Sequence, residues 1–441
     1  MGPRTKTMVI ACGVAAALTV PAAPAGAVGA DAELLRLELS LGLHGQKARV
    51  MKVVFDYFEA RDKGWSGPEA SAAALARLKE SSGAVAEQPE KFAAGTAAVA
   101  DEAADEQGLR ATEVLTSFAR DNRVTFRGRT ATVTVTAGTD LTWNDKALGK
   151  SSLEDTYTVT LQREGKSWRI TDVAYAPVPS TESEQSSWPL GSGGILPTSG
   201  KAQAQTQSEG EVGLLAGGTY DRDAAAAYAD KWSKGNGNYV DKYGNPVGDG
   251  EEKYNPDYER FDNNCANFVS QSLHAGGWPK VSGVNKHDDN LWTNNMLSLQ
   301  VPTTTWSVAY RLWIYASNDK RGERLRVWPP QDGDGFPTDP NGDNQDVWSL
   351  EKGDLLFADW DPYGAADGKI DHAMIITGSY TSMGFTEPTY SQNSPHRNNL
   401  PLSIGMKIAT GDKPDVEPGN GMGGQARAPI YYPVHVKDTF E

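Results

Sequence analysis

Cysteine is nearly missing from this chain: its 441 residues hold two, Cys12 and Cys265. Cys12 falls in an amino-terminal stretch that reads as a cleaved leader, which leaves the mature chain one thiol and excludes an intramolecular disulfide. Long apolar runs are also lacking. The longest, Met8 to Val20, is shorter than the roughly 20 residues a membrane span requires, so no anchor is expected once the leader is removed. Most of that run follows Cys12, which argues against a lipid-anchor cysteine. Basic charge is scarce, and a net charge of −15 argues against nucleic acid as a partner, because no surplus of Lys and Arg is left to neutralise phosphates.

The leader itself is well marked. Arg4 and Lys6 give a basic start, the apolar run follows, and Ala25-Gly26-Ala27 or Val28-Gly29-Ala30 supplies a small-residue cleavage site. Residues 1–30 therefore read as a signal peptide and the protein as secreted and extracellular. Export without disulfides leaves packing, with or without a metal, to hold the fold. A hydrophobic content of 39% and twelve tryptophans describe a globular chain, long enough for two or three domains.

From Asp31 to about Ser82 the pattern is helical, clearest where Val50, Val54, Tyr57 and Phe58 recur on one face. Residues 83–108 are rich in Ala and Glu and give no assignment. Beyond Arg110 the period changes to two. Ala131, Val133 and Val135 alternate with threonines, Tyr157, Val159 and Leu161 alternate with polar residues, and Arg163-Glu164-Gly165-Lys166 turns the chain into Trp168 and Ile170. Residues 31–177 thus read as an α+β domain, helices followed by a curved antiparallel sheet. In element order it resembles the cone-shaped domains of the nuclear-transport-factor or cystatin-like kind. Residues 178–211 shift to Pro, Ser, Thr, Gly and Gln and read as a flexible linker. Residues 212–441 form the last domain, opening with an alanine-rich helix through Tyr228 and Trp232.

The chemistry concentrates at Asp262-Asn263-Asn264-Cys265-Ala266-Asn267-Phe268. Polar residues precede Cys265, apolar residues follow at helical spacing, and Gly276-Gly277 ends the run, which predicts a helix of about three turns with the cysteine on its first turn. Unpaired amides and the positive end of the helix dipole favour a thiolate there, and the same amides could hold an oxyanion. The competing reading is a buried cysteine acting as a small hydrophobe.

A thiol nucleophile needs a base, and six histidines are present. His372 opens the β-like run Asp371 to Gly378, just after the apolar run Gly353 to Phe357. A strand start is a rigid mount for an imidazole facing a helix terminus, so His372 is the expected base. A third polar group should orient the ring. Asn393 is favoured in the next strand candidate, Thr389 to His396. Gln392 and His396 stay open, and Gln392 excludes Asn393 if both lie on one alternating strand.

Together with Tyr220-Asp221-Arg222, Gly353-Asp354 and Asp371-His372-Ala373, the cysteine block resembles the putative amidase domain family of secreted bacterial proteins. That family is similar to the NlpC-type and CHAP cell-wall peptidases. The resemblance implies a papain-like carboxy-terminal hydrolase domain, its nucleophile helix packed on an antiparallel sheet. It also implies Cys265 as nucleophile, His372 as base, and an amide or peptide bond of the cell wall as substrate. Asn393 departs from the histidine more usual at the third position. Helix amides, with the side chain of Asn264, would stabilise the oxyanion, and no cofactor is needed.

Alternating acids mark two further stretches: Asp332, Asp334, Asp339, Asp343 and Asp346, and separately Asp359, Asp361, Asp367 and Asp371. Neither has the full spacing of a helix-loop-helix calcium loop, and weak calcium binding competes with the reading as solvated loops. Two other functions fit the same residues. One is an acyltransferase using the same triad, and the other a catalytically inactive wall-binding module.

Overall fold

The computed structural model describes residues 43–82, 85–176, 218–233, 239–247, 254–261, 263–296, 301–328, 346–359, 370–411 and 429–440. The expected signal peptide and linker lie outside them. The chain opens with α1 (Gln46–Asp62), a 3-10 turn (Lys63–Ser66), α2 (Pro68–Ser82) and α3 (Glu87–Gln107). The third helix occupies the stretch that carries no clear sequence signal. Its alanines favour helix without marking a face, while Glu87 and Glu90 in its first turn suit the positive end of the dipole.

Five strands follow: β1 (Ala111–Ala119), β2 (Arg123–Arg127), β3 (Thr130–Trp143), β4 (Lys150–Glu164) and β5 (Ser167–Tyr175). The period-two residues behave as their alternation predicts. Ala131, Val133, Val135, Tyr157, Val159 and Leu161 are buried against Val50, Val54 and Phe58 of α1, in one core. The two long strands fork. The first part of β3 pairs β2 and its last part β1, while β4 pairs β5 through Tyr157 to Glu164.

The second half contains β6 (Gly218–Thr219), α4 (Arg222–Ser233), β7 (Tyr239–Val240), α5 (Cys265–Ala275), α6 (Thr304–Ser307), α7 (Ala309–Ala316) and β8 (Gly322–Arg324). It continues through β9 (Leu355–Asp359), β10 (His372–Ser382), β11 (Phe385–Gln392), β12 (His396–Pro401), α8 (Leu402–Gly411), β13 (Ile430–Val436) and β14 (Thr439–Phe440). The class is α+β, and every pairing in the main sheet is antiparallel.

The sheet does not stop between the halves. Its strands run β7-β1-β3-β4-β12-β11-β10-β9-β13-β8, with β12 joined to β4 through His396↔Glu154, Arg397↔Leu153 and Asn398↔Ser152. A shared core confirms the junction, since Trp65, Leu141 and Trp143 cluster with Met374, Tyr390 and Ile404. Polar contacts add to it: Gln107 Nε2 donates to Ser403 Oγ at 2.7 Å, and Lys407 pairs with Glu106 at 2.5 Å. The division expected between residues 177 and 212 is therefore crossed by both a β-ladder and a hydrophobic core. Among the described residues no helix is long and apolar enough to cross a membrane.

Candidate active site

Cys265 begins α5, which packs against β10. The helix places its apolar residues Phe268, Val269 and Leu273 in a core with Trp278, Trp292 and Trp306. All three of these tryptophans are buried. The helix ends at Gly276, where an added Cβ would lie 2.5 Å from the ring of Tyr220 and 2.9 Å from Ala225 Cβ, and Gly277 continues at φ 101°. The first position requires close approach to α4 and the second a left-handed backbone.

The amino end of α5 departs from the expected cap. Asn264 makes no side-chain bond to the helix amides. Its Oδ1 instead accepts from Asn267 Nδ2 at 2.8 Å and from the Phe261 amide at 3.3 Å. Its own N–H donates to Ser394 Oγ at 3.1 Å. The amides of Cys265 and Ala266 are left facing the sulfur, where both favour the thiolate, as does the Ala373 amide of β10.

Burial outweighs them. Cys265 is 2% exposed, and desolvation pushes its pKa up to about 12, with Asp371 adding to the rise. Two oxygens lie within reach of the thiol hydrogen: Asn263 Oδ1 at 3.4 Å and the Asp371 carbonyl at 3.8 Å. Burial therefore opposes the resting thiolate expected from the helix start. A helix start stabilises a sulfur anion only modestly, whereas loss of water penalises it strongly.

The sulfur thus meets the backbone on both sides of His372, the carbonyl before it and the amide after it. His372 is the first residue of β10 and pairs with Ala358 of β9. It is buried, and its pKa is lowered to about 4, chiefly by desolvation and also by the charge of Arg397. The side chain of Gln392 is a smaller influence that opposes that fall. Gln392 Oε1 itself is buried without a hydrogen-bond partner among the described residues. The Gln392 Nε2 donates to the Pro395 carbonyl at 3.0 Å, which fixes the amide orientation.

Asn393 lies just past the end of β11, in the turn before His396. The expected strand from Thr389 to His396 instead starts at Phe385 and ends at Gln392, with His396 opening β12, and strand alternation does not apply at Asn393. Its Oδ1 is buried without a hydrogen-bond partner among the described residues. His396 turns to other partners: its Nε2 is 2.9 Å from Tyr254 Oη and 4.0 Å from Glu154 Oε1. Sequence reasoning weighed Gln392 but had no signal for Ser394, whose contact with Asn264 depends on chain reversal 130 residues away.

Of the two acidic stretches, only Asp346, Asp359 and Asp371 are described. Asp346 accepts from the Arg326 amide at 2.7 Å and pairs with its guanidinium. Among the described residues no three His, Cys, Asp or Glu side chains gather as a metal group.

Residues 219–412, which contain Cys265, His372 and Gln392, match the family model described as "Putative amidase domain". The chain is also similar to the uncharacterized protein YhbB of Bacillus subtilis (strain 168), with 30% identity over 159 residues. That alignment covers 36% of this chain and 37% of the relative, so the chain spans little more than a third of the curated protein it matches. No solved structure matches the chain. The family match supports an amidase-type hydrolase activity for this segment.

Proposed function

We propose that this protein is a secreted cysteine amidase or peptidase in which Cys265 attacks an amide carbonyl and His372 is the general base. The observation that carries this reading is the contact of the Cys265 sulfur with the backbone flanking His372, at a helix start inside the amidase-matching segment. The orienting residue of this reading is Asn393 or Gln392, both buried, the first in the chain reversal that follows β11 and the second at its end. The substrate is an amide of cell-wall peptide, an assignment that rests on the resemblance and on the leader-like amino terminus.

The protonation states shape the mechanism. A thiol raised to about 12 and an imidazole lowered to about 4 rest as a neutral pair. Proton transfer to His372 therefore accompanies formation of the sulfur–carbon bond instead of preceding it. The amides of Cys265 and Ala266 face the sulfur and suit the developing oxyanion. Collapse expels the amine, which takes the proton from His372, and water hydrolyses the remaining thioester. Cys265 and His372 are 2% and 5% exposed, so substrate entry requires the covering chain to move aside.

That burial also favours a second reading, in which Cys265 is a structural residue. Incubation of the protein with cell-wall peptides, followed by assay of released amines, separates the two. The wild type is expected to release amine, and Cys265→Ala and His372→Ala to lose about 100-fold or more while staying folded. Turnover undiminished in Cys265→Ala rejects the nucleophile. Wall binding without any release supports the inactive-module alternative, and product carrying an added amine identifies a transferase.

A further inference from the structure

The chain reaches the candidate nucleophile by way of the amino-terminal half. Beyond α4 it pairs with β1 as β7, through Phe118↔Val240 and Ala119↔Tyr239, and Lys242 meets Glu59 of α1 at 2.5 Å. It returns to α5 through residues 254–261, which form neither helix nor strand. Side-chain contacts hold this segment along its length. Tyr254 Oη lies 2.9 Å from Nε2 of His396 on β12, and the Arg260 guanidinium stands 3.9 Å from the centre of the Tyr254 ring. Asn255 Nδ2 donates to Tyr228 Oη of α4 at 3.0 Å. The Tyr258 ring stacks on Trp306 with centroids 5.9 Å apart, and the Glu259 carbonyl accepts from Asn267 Nδ2 at 2.8 Å. Just beyond, Asn263 sets its Oδ1 3.4 Å from the Cys265 sulfur. Asn263 is half-buried where Cys265 is 2% exposed, so its side chain stands between the sulfur and solvent.

We propose that residues 254–261 with Asn263 form a strap that covers Cys265 and lifts to admit substrate, its latch being the contact of Tyr254 with His396. The role in substrate entry rests on Cys265 being the nucleophile.

The strap is the part of the enclosure that can yield. The other oxygen near the sulfur, the Asp371 carbonyl, is fixed in the sheet: the Asp371 amide donates to the Ala358 carbonyl at 3.0 Å, and His372 pairs with Ala358. Lifting the strap breaks a few half-exposed side-chain contacts, whereas opening the sheet breaks a buried ladder, and local opening follows the weaker set. The latch belongs to both halves. His396 pairs with Glu154 of β4 in the ladder, and the Glu154 carboxylate also accepts from Tyr239 Oη of β7. The amino-terminal half thus holds both the approach to the strap and its latch, which gives it a part in access to the thiol.

The test is iodoacetamide labelling of Cys265 in the folded full chain without substrate, followed by mass spectrometry of the peptide that contains it. Tyr254→Phe removes the latch hydroxyl, and labelling is expected to quicken about fivefold, the factor that loss of one such bond brings to an opening equilibrium. Asn255→Ala is expected to act in the same direction, and it carries the comparison if Tyr254→Phe does not fold. Tyr380→Phe is the control: it removes a buried hydroxyl that donates to Gln107 Oε1 at 2.9 Å, away from the strap, and is expected to leave labelling unchanged. On a cell-wall peptide, kcat/KM of Tyr254→Phe is expected to rise by the factor seen in labelling, because more of the protein is open. Unchanged labelling in the folded strap variants, or an equal rise in Tyr380→Phe, overturns the strap. Faster labelling with kcat/KM unmoved overturns its role in substrate entry. An inactive wild type rejects the hydrolase reading and leaves the labelling comparison intact.

Discussion

The backbone N–H of Asn264 donates to Ser394 Oγ at 3.1 Å, tying the residue before the nucleophile candidate to the turn between β11 and β12. The same turn follows Gln392, the last residue of β11. One hydroxyl therefore links the helix carrying Cys265 to the turn that follows β11.

Ser394→Ala removes that acceptor and leaves the Asn264 amide without this bond. Stability is expected to fall by about 1 to 2 kcal/mol. Turnover is expected to fall further than the stability loss explains, because α5 and β11 lose a shared reference point. Urea unfolding and amide hydrolysis measured on the same preparation check this; normal turnover in the variant would show that the bond is structural only.

Burial gives a definite expectation for thiol reactivity. With its pKa pushed up to about 12, Cys265 should be almost entirely protonated at pH 7 and enclosed. Iodoacetamide should therefore label the native protein more slowly than the urea-unfolded chain, whose thiol titrates near the usual value of about 8.5. Faster labelling of the native protein at neutral pH would mean that the thiol is activated in the resting state.

His372 makes acid stability testable. Its pKa falls from the ordinary 6.5 to about 4, first through desolvation and also through Arg397. Between those values the unfolded chain binds a proton that the folded chain does not. Its contribution is present above about 6.5 and is lost as pH drops toward 4, by about 3 kcal/mol in all. His372→Gln should flatten this part of the stability profile. Urea midpoints from pH 7 to pH 4 give the comparison, and identical slopes in the two proteins would contradict a buried neutral imidazole.

What could be read in advance was local. The polar run, the apolar spacing and the paired glycines mark a three-turn helix beginning at Cys265, and α5 spans Cys265–Ala275. Alternation in Ala131 to Val135 and Tyr157 to Leu161 marks β3 and β4, because a one-sided core writes a period of two into each strand. The α3 helix is the converse case. Its alanines satisfy both helix and small-residue packing without distinguishing faces, so its backbone state is not inscribed as a pattern.

Local signals alone establish an α+β chain with one conspicuous thiol at a helix start and one histidine at a strand start. The pairing of β4 with β12 and the burial of Cys265 and His372 emerge only when the chain is folded. Helix and strand signals arise between near neighbours along the chain. Strand partnership, chain reversal and desolvation are set by what distant segments bring together, and no short window of residues contains them.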